Sequence, residues 1–379
     1  MSMILPAEFH RRKYEQVQAR VDEMGLDGLL VFDPYNVYYL SGFHHVHSER
    51  PEAVYVPRQG DPVLFMPFLE SIKPPKVEGC WVKDIRTYFE YPGPVFPVAW
   101  MGCETGARRL GVDDVPISYF QHLQGKVDEV VYTDLVYKMR QVKEPVEIEC
   151  IRAASKYADA VVEAARQAMK IGATELEVWK EAVEKVTQQM KEEQGEDDPS
   201  LRVGGRILSG PSSASPHGQT GRNKVKAGDV ALLSMGATVA YYHSESERTF
   251  IVGQPTERQR RFFETMVNAQ RVGAETLRPG LRCCDVNAKC LDVIRNAGFE
   301  KYIFHRMGHG EGLQGHESPW IEEGDKTIIQ ANMAFSDEPG IYVPGLGGFR
   351  HSDVLVVTQE GSESLTQYPR RLEELIIKV

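Results

Sequence analysis

The residues best suited to chemistry lie in three stretches of the second half of the chain, with one loop ahead of them. The stretches are Leu233–Phe250 (LSMGATVAYYHSESERTF), Met307–Pro319 (MGHGEGLQGHESP) and Ala334–Asp353 (AFSDEPGIYVPGLGGFRHSD). In the first, His243, Glu245 and Glu247 alternate with serines, so on a strand all three side chains point to one face. Two carboxylates and an imidazole on one face are costly to bury unpaired, and composition alone makes a solvated edge strand the simpler account. The apolar run VALLSMG just ahead argues instead for a buried strand. Carboxylates and imidazoles gathered in a buried site either ligate a cation or move protons. The second stretch adds His309 and His316, the third adds Glu338 and Arg350, and the loop SASPHGQTG adds His217. A lone histidine more often has a structural role than a catalytic one. His122, His305 and His351 match no motif and are assigned that structural role.

These blocks resemble the signature blocks of the pita-bread family, which holds prolidase, aminopeptidase P, methionine aminopeptidase and creatinase. In the metal-dependent members Asp, Asp, His, Glu and Glu hold two divalent ions. The matching positions here are Ser234, Glu245, His309, Glu338 and Ser352, so only His309 and Glu338 are unchanged. The separation of Ser234 from Glu245 equals the family's spacing between its two metal aspartates. Losing two anionic ligands leaves too little charge for two divalent cations side by side. A single ion such as Mn, Co or Zn on Glu245, His309 and Glu338 is the remaining metal possibility.

Within the family the blocks look most like those of creatinase, which works without a metal. The shared features are Glu247-Arg248-Thr249 and the early pair Arg50-Pro51. The resemblance implies that His217 shuttles the proton and that Glu247 and Glu338 hold a cationic guanidinium group. It also implies a homodimer, in which Arg50 reaches across to the substrate carboxylate and the loop carrying His44, His45 and His47 faces the neighbouring subunit. Without a metal, water must be activated by a histidine near neutral pKa, and paired carboxylates make an amidine-like carbon electrophilic. The chain departs from creatinase at Ser48, Glu245 and Ser352, where creatinase has Phe, Ala and His.

The expectation is therefore a metal-independent hydrolase, without a cofactor, that cuts a C–N bond of an amidine, guanidine or amide in a small cationic or zwitterionic compound. His217 would be general base and acid, with His309 and His316 orienting the reacting group. Glu247, Glu338 and Glu245 would bind the cation beside His243, and Arg50 or Arg350 would take a carboxylate. Two rivals remain. One is an Xaa-Pro-type metallopeptidase with a drifted site. The other is an inactive pita-bread binding module, against which the retained His217, His316 and Glu338 argue.

The elements that must position these residues read as α/β. Helical periodicity over Phe9–Met24 precedes a short apolar strand, Gly28–Phe32, and Asp33-Pro34-Tyr35-Asn36 reads as a turn. Strands are predicted at Ala53–Val56 and Pro62–Met66, and an αβ unit over Gly106–Leu123. A boundary falls at the polar stretch ending in Pro145, giving an N-terminal creatinase/prolidase-like domain over 1–137 and a pita-bread domain over 138–379. A long helix is predicted from about Val146 to Met169. Capping boxes at Thr174/Glu177 and Thr256/Gln259 open two more helices, the first running into the solvated stretch Lys191–Asp198, and Cys284–Ala297 is a fourth. Strands are predicted at Arg206–Ser209, Val230–Met235, Ala240–His243 and Arg248–Val252. Two strand-rich halves accompanied by helices suit the pita-bread barrel.

Composition narrows the partners. Hydrophobic residues make up 42% and charged residues 26% of the 379, with a formal net charge of −10. Charges of both signs are interspersed, and no Lys/Arg run would track a phosphate backbone, which argues against nucleic acid. No apolar run approaches the roughly 20 residues of a membrane helix. The N-terminal stretch MSMILPAEFHRRKYEQV has too short an apolar core for a signal peptide, so a cytoplasmic location is expected. The six cysteines show no metal-ribbon spacing and are expected to be free thiols, Cys283-Cys284 included.

Overall fold

A computed structural model of the chain describes residues 3–195 and 198–379. Met1 and Ser2 of the N-terminal stretch, and Glu196 and Asp197 of the polar run after the second long helix, lie outside the described residues. The chain divides into two units, Ile4–Arg140 and Gln141–Val379, the latter joined by Met3.

The first unit begins with α1 (Ala7–Glu23) and β1 (Gly28–Val31), a strand buried along its whole length. The segment Asp33–Asn36 is not a turn but the start of α2 (Pro34–Ser41). The Asp33 carboxylate accepts from the Tyr35 and Asn36 amides, and Pro34 takes the first helical position, where a missing N–H costs nothing. Asp-Pro serves a turn and a helix start equally well. Burial of Val37, Tyr38, Tyr39 and Leu40 decides for the helix. The remaining elements are β2 (Ala53–Pro57), β3 (Val63–Pro67), β4 (Asp84–Tyr88), α3 (Pro97–Thr105), β5 (Arg109–Val112), α4 (Ile117–Leu123), β6 (Glu129–Tyr132) and α5 (Leu135–Gln141). The strands form one mixed sheet in the order β4-β3-β2-β1-β5-β6. Against it pack Val98, Met101 and Leu123 from the helices.

The second unit opens with α6 (Pro145–Ala168) and α7 (Glu175–Gln194), each entered through a reciprocal capping box, Glu144 with Glu147 and Thr174 with Glu177. Then come β7 (Arg202–Ser209), β8 (Val230–Val239), β9 (Tyr242–Val252), α8 (Glu257–Thr276) and α9 (Cys283–Asn296). The second strand-rich part comprises β10 (Gly308–Gly310), β11 (Glu317–Ile321), β12 (Ala334–Asp337), β13 (Gly340–Val343), β14 (Gly347–Arg350), β15 (Asp353–Val357), β16 (Ser362–Ser364) and β17 (Ile376–Ile377). One sheet runs β17-β9-β8-β7 and another β11-β10-β12-β15-β16, with β13 and β14 forming a hairpin.

The HSESE run of β9 is buried apart from the half-buried His243, as the apolar run ahead of it implied; it pairs with β8 along its length and meets Ser352 at Glu247, while β17 adjoins only Ile251 and Val252. One correction concerns its start: Ala240–His243 do not form one strand. Ala240 and Tyr241 are the two turn residues of the β8–β9 hairpin, with φ of 51° and 65°. Left-handed conformation at both central residues is what a tight hairpin turn demands. It sets Ser234 opposite Glu247, Gly236 opposite Glu245 and Thr238 opposite His243.

The two sheets meet where Glu247 and Ser352 exchange backbone hydrogen bonds of 3.0 and 3.1 Å. Arg248, wholly buried, fastens this junction. Its guanidinium donates to the Glu247, Ser352, Tyr368 and Pro369 carbonyls and to Asp353 Oδ1, between 2.7 and 2.9 Å. All five N–H groups are used, which lysine with three donors on one nitrogen cannot reproduce.

Stability should respond at two positions. Arg248→Lys should cost about 3–5 kcal/mol in denaturant unfolding of the full chain, because it leaves Asp353 and several carbonyls short of donors in the interior. His10 of α1 should make stability fall with acid. Burial holds its pKa at about 4, against an ordinary 6.5. Above pH 6.5 neither state binds the proton; between 6.5 and 4 only the unfolded chain does, so stability drops by about 1.4 kcal/mol per pH unit. Urea unfolding at pH 7 and pH 5 should show His10→Gln losing about 2 kcal/mol less than the parent.

Candidate active site

The second unit holds a cavity of about 710 Å³ whose floor is the hairpin β8–β9. The alternation of β9 sends His243, Glu245 and Glu247 into it, and Ser234 and Gly236 of β8 stand beside them. Glu338 and Arg350 enter from the second strand-rich part, His316 from the loop after β10, and His217 lies exposed at the margin. His309 is fully buried next to them, its ring stacked on that of His316 at 3.8 Å between centroids. Eight of the nine candidate residues therefore come together in one unit. The ninth, Arg50, belongs to the first unit, where it pairs with Glu90 at 3.0 Å and with Glu49 and lines a separate pocket of about 380 Å³.

Glu245, His309 and Glu338 converge. His309 Nε2 lies 3.1 Å from Glu338 Oε1 and 4.0 Å from Glu245 Oε1. Its Nδ1 sits 3.2 Å from the Gly310 carbonyl, which can only accept. In the neutral ring this fixes the proton on Nδ1 and turns the Nε2 lone pair to the gap between the carboxylates. Nε2 makes no well-aligned hydrogen bond. Ser352 Oγ donates to Glu245 Oε1 at 2.8 Å and holds that carboxylate in place. Ligand-capable atoms of Glu245, His309 and His316, and likewise of Glu245, Glu247 and Glu338, lie within 4.8 Å of one another. Two carboxylates and an imidazole lone pair aimed at one point fit a divalent cation.

The neighbouring carboxylate is differently engaged. Glu247 is gripped by both forks of Arg350, Nη2 donating to Oε1 at 2.7 Å and Nε to Oε2, while Ser234 Oγ also donates to Oε1. Arg350 Nη1 donates to Tyr342 Oη at 3.0 Å. Tyr342 in turn donates to His305 Nε2 at 2.7 Å, because His305 Nδ1 is spent on the Arg306 carbonyl.

Crowding sets the electrostatics. Burial, then Glu338 and Glu247, push the Glu245 carboxyl up to about 7. Burial would lower His309, but the Glu338, Glu245 and Glu311 carboxylates outweigh it and raise the imidazole to about 10. Burial would raise Glu338, yet contact with His309 and the charge of Arg350 hold it below the carboxylate range. Burial and then the charge of His309 lower His316 to about 4. Burial also lowers His243, whose Nδ1 is 3.0 Å from Glu311 Oε2. The His243 ring fits a slot without side chains. A methyl on Gly236 would come within 3.1 Å of Nε2, and one on Gly315 within 3.0 Å of Cε1 and Nδ1.

Several residues escaped sequence reasoning. His305 does not have a remote structural role; it lines the cavity and terminates the Arg350–Tyr342 relay. Its signal was its place four residues before His309. Arg202 and Arg206, also lining the cavity, share one face of β7 through the same alternation that marked β9. Glu311 stood in plain view between His309 and Gly312.

Residues 149–359 match the model of metallopeptidase family M24, and residues 13–142 that of the creatinase/prolidase N-terminal domain. The chain is 30% identical to the Xaa-Pro dipeptidase of Pyrococcus furiosus, over 96% of this chain and 99% of that one. It is also 30% identical to the probable dipeptidase PepE of Mycobacterium bovis, over 97% and 96%. Among solved structures, the prolidase of Pyrococcus horikoshii superposes with a TM-score of 0.84 at 28% identity, covering 95% of this chain and 99% of that one. The dipeptidase PepE of Mycobacterium ulcerans gives 0.86 at 29%, covering 99% and 100%.

The expected architecture holds: an α/β creatinase/prolidase N-terminal domain and, after it, a pita-bread domain. A hydrolase of C–N bonds is likewise the right class. The metal-independent, creatinase-like reading without a cofactor is corrected. The relatives matched over nearly their full length are named Xaa-Pro dipeptidase or probable dipeptidase, and the matching family is one of metallopeptidases. The physical reason lies in the retained donors: Glu245, with one methylene more than Asp, comes within 4.0 Å of His309, which itself lies 3.1 Å from Glu338. Among the described residues no helix is long and apolar enough to cross a membrane.

The slot around His243 is testable. Gly315→Ala should displace the ring and lower turnover by about tenfold or more, with KM and the unfolding midpoint little changed, since small misplacements are felt in rate before binding. Unaltered turnover would mean that the ring's position is immaterial.

Proposed function

The chain belongs to metallopeptidase family M24, and on that premise we propose that it hydrolyses Xaa-Pro-type dipeptides with a divalent cation held by Glu245, His309 and Glu338. The observation that carries the reading is the convergence of these three groups at the cavity, with Nε2 of His309 directed between two carboxylates. Support comes from relatives of nearly equal length that are named Xaa-Pro dipeptidase or dipeptidase.

When bound, such a cation polarises the scissile carbonyl and makes a water molecule acidic near neutral pH. The protein's own groups do the rest. Ser352 Oγ and the Gly310 carbonyl fix the orientation of Glu245 and His309, so the donors are set before loading. The acidic wall of Glu245, Glu247 and Glu338 takes the ammonium end of a zwitterionic dipeptide. Arg202 and Arg206, on the strand next to β8, line the same cavity and take the carboxylate of the dipeptide. Water oxygen bonds to the carbonyl carbon, the C–N bond breaks, and the leaving nitrogen needs a proton. His243 is neutral at pH 7 because burial lowers its pKa, and Glu311 holds Nδ1. Its Nε2 is placed to accept a proton from water and return it to that nitrogen.

Demetallated protein should release no proline from Ala-Pro or Met-Pro, and Mn or Co should restore release. Glu338→Gln should lower kcat/KM by about two orders of magnitude while the protein stays folded. A folded, metal-supplemented protein that released no proline from a panel of Xaa-Pro dipeptides would overturn the reading.

A further inference from the structure

We infer that this site holds one divalent cation rather than a pair, because Ser234 and Ser352 offer no anionic donor to a second and the guanidinium of Arg350 keeps Glu247 from supplying one. The inference rests on the metallopeptidase reading above and concerns only the occupancy of its site.

The donors divide into two sets. Glu245 Oε1, His309 Nε2 and Glu338 Oε1 face one another, and among the described residues neither carboxylate oxygen is paired with an arginine or lysine. Glu247 is the carboxylate left over, and both its oxygens are taken by Arg350 in a bidentate pair. Such fork-on-fork contacts are among the strongest charge-assisted hydrogen bonds. Both partners are nearly inaccessible, and the third Arg350 nitrogen is fixed on Tyr342. The guanidinium therefore cannot swing out to admit an ion without leaving Glu247 and Tyr342 short of donors in the interior. Its Nε also lies 3.8 Å from Glu338 Oε2, so the oxygen of Glu338 that faces away from His309 already has a positive neighbour.

The serines complete the picture. Ser234 spends its hydroxyl on Glu247 and Ser352 spends its own on Glu245. Each is a neutral donor to a carboxylate where a second ion would require an anionic ligand. Charge counts agree. Three carboxylates (Glu245, Glu247, Glu338) carry −3, Arg350 supplies +1, and one dication with a neutral His309 brings the site to zero. A second dication would leave an excess of +2, of which Glu311, the buried carboxylate 3.9 Å from His309, offsets at most one charge.

The test is ion stoichiometry. The full chain, stripped with chelator, is titrated with Mn²⁺ by calorimetry, and bound metal per chain is counted by mass spectrometry after gel filtration. With Co²⁺ the visible absorption gives an independent count. One ion per chain is expected. Glu247→Gln should still bind one ion with affinity within about threefold, since Glu247 serves as counter-ion to Arg350. Glu338→Gln should weaken binding by about a hundredfold. Ser234→Asp combined with Arg350→Met should admit a second ion. If that double variant fails to fold, the single-variant affinities decide alone. Two ions on the parent chain, or loss of the ion in Glu247→Gln, would overturn the inference while leaving the peptidase reading intact. No bound ion at all, together with no proline release, would overturn both.

Discussion

The structure of the site depends on one buried cation, Arg248. Its five donors reach backbone and side chain on β9, on the Ser352–Asp353 segment and on the C-terminal Tyr368-Pro369 segment. These are the pieces that carry Glu245, Glu247 and Ser352, so the position of the acidic strand relative to Ser352 is set from behind, by an arginine that never faces the cavity. Asp353 balances the charge, and Gln270, Thr366 and Arg370 occupy its remaining lone pairs. A buried ion pair adds little net stability by itself; its value here is that no other arrangement satisfies all its members.

With the frame fixed, the cavity is a problem of like charges. Three carboxylates share a space of a few ångströms, and two of them are brought there by consecutive inward positions of one strand. Left alone they would have to protonate, as the raised Glu245 indicates. The chain answers with a fixed cation on one carboxylate and an imidazole directed at the other two. The same excess of negative charge that is unfavourable by itself would give a divalent cation its affinity.

Legibility in the sequence tracks locality. The boxes Thr174/Glu177 and Thr256/Gln259 are readable because cap and partner are three residues apart and nothing distant overrides them. The alternation in HSESE announces one shared face for the same reason. Asp33-Pro34 misleads because turn and helix start use the same residues, and only the burial of Val37, Tyr38, Tyr39 and Leu40 separates the two. Ala240-Tyr241 misleads because neither residue advertises a left-handed backbone; the tightness of the hairpin imposes it. The metal question is decided beyond the reach of ligand counting. The serine substitutions are visible in the sequence, but the reach of Glu245 and the Gly310 carbonyl that sets the His309 tautomer exist only in three dimensions.

The β8–β9 turn also works as a ruler. Two residues, no more, separate Val239 from Tyr242, and that count places Ser234 opposite Glu247 and Gly236 opposite Glu245. A strand that slips by one residue presents its other face, which here would deliver Ser244 and Ser246 to the cavity and carry the carboxylates into the core. The identity of the turn residues is therefore cheap to change: Gly or Asn would relieve the left-handed strain. Their number is not. Sequence drift in this protein can exchange one ligand for another at a fixed address, as at Ser234, but it cannot move the address without dismantling the site.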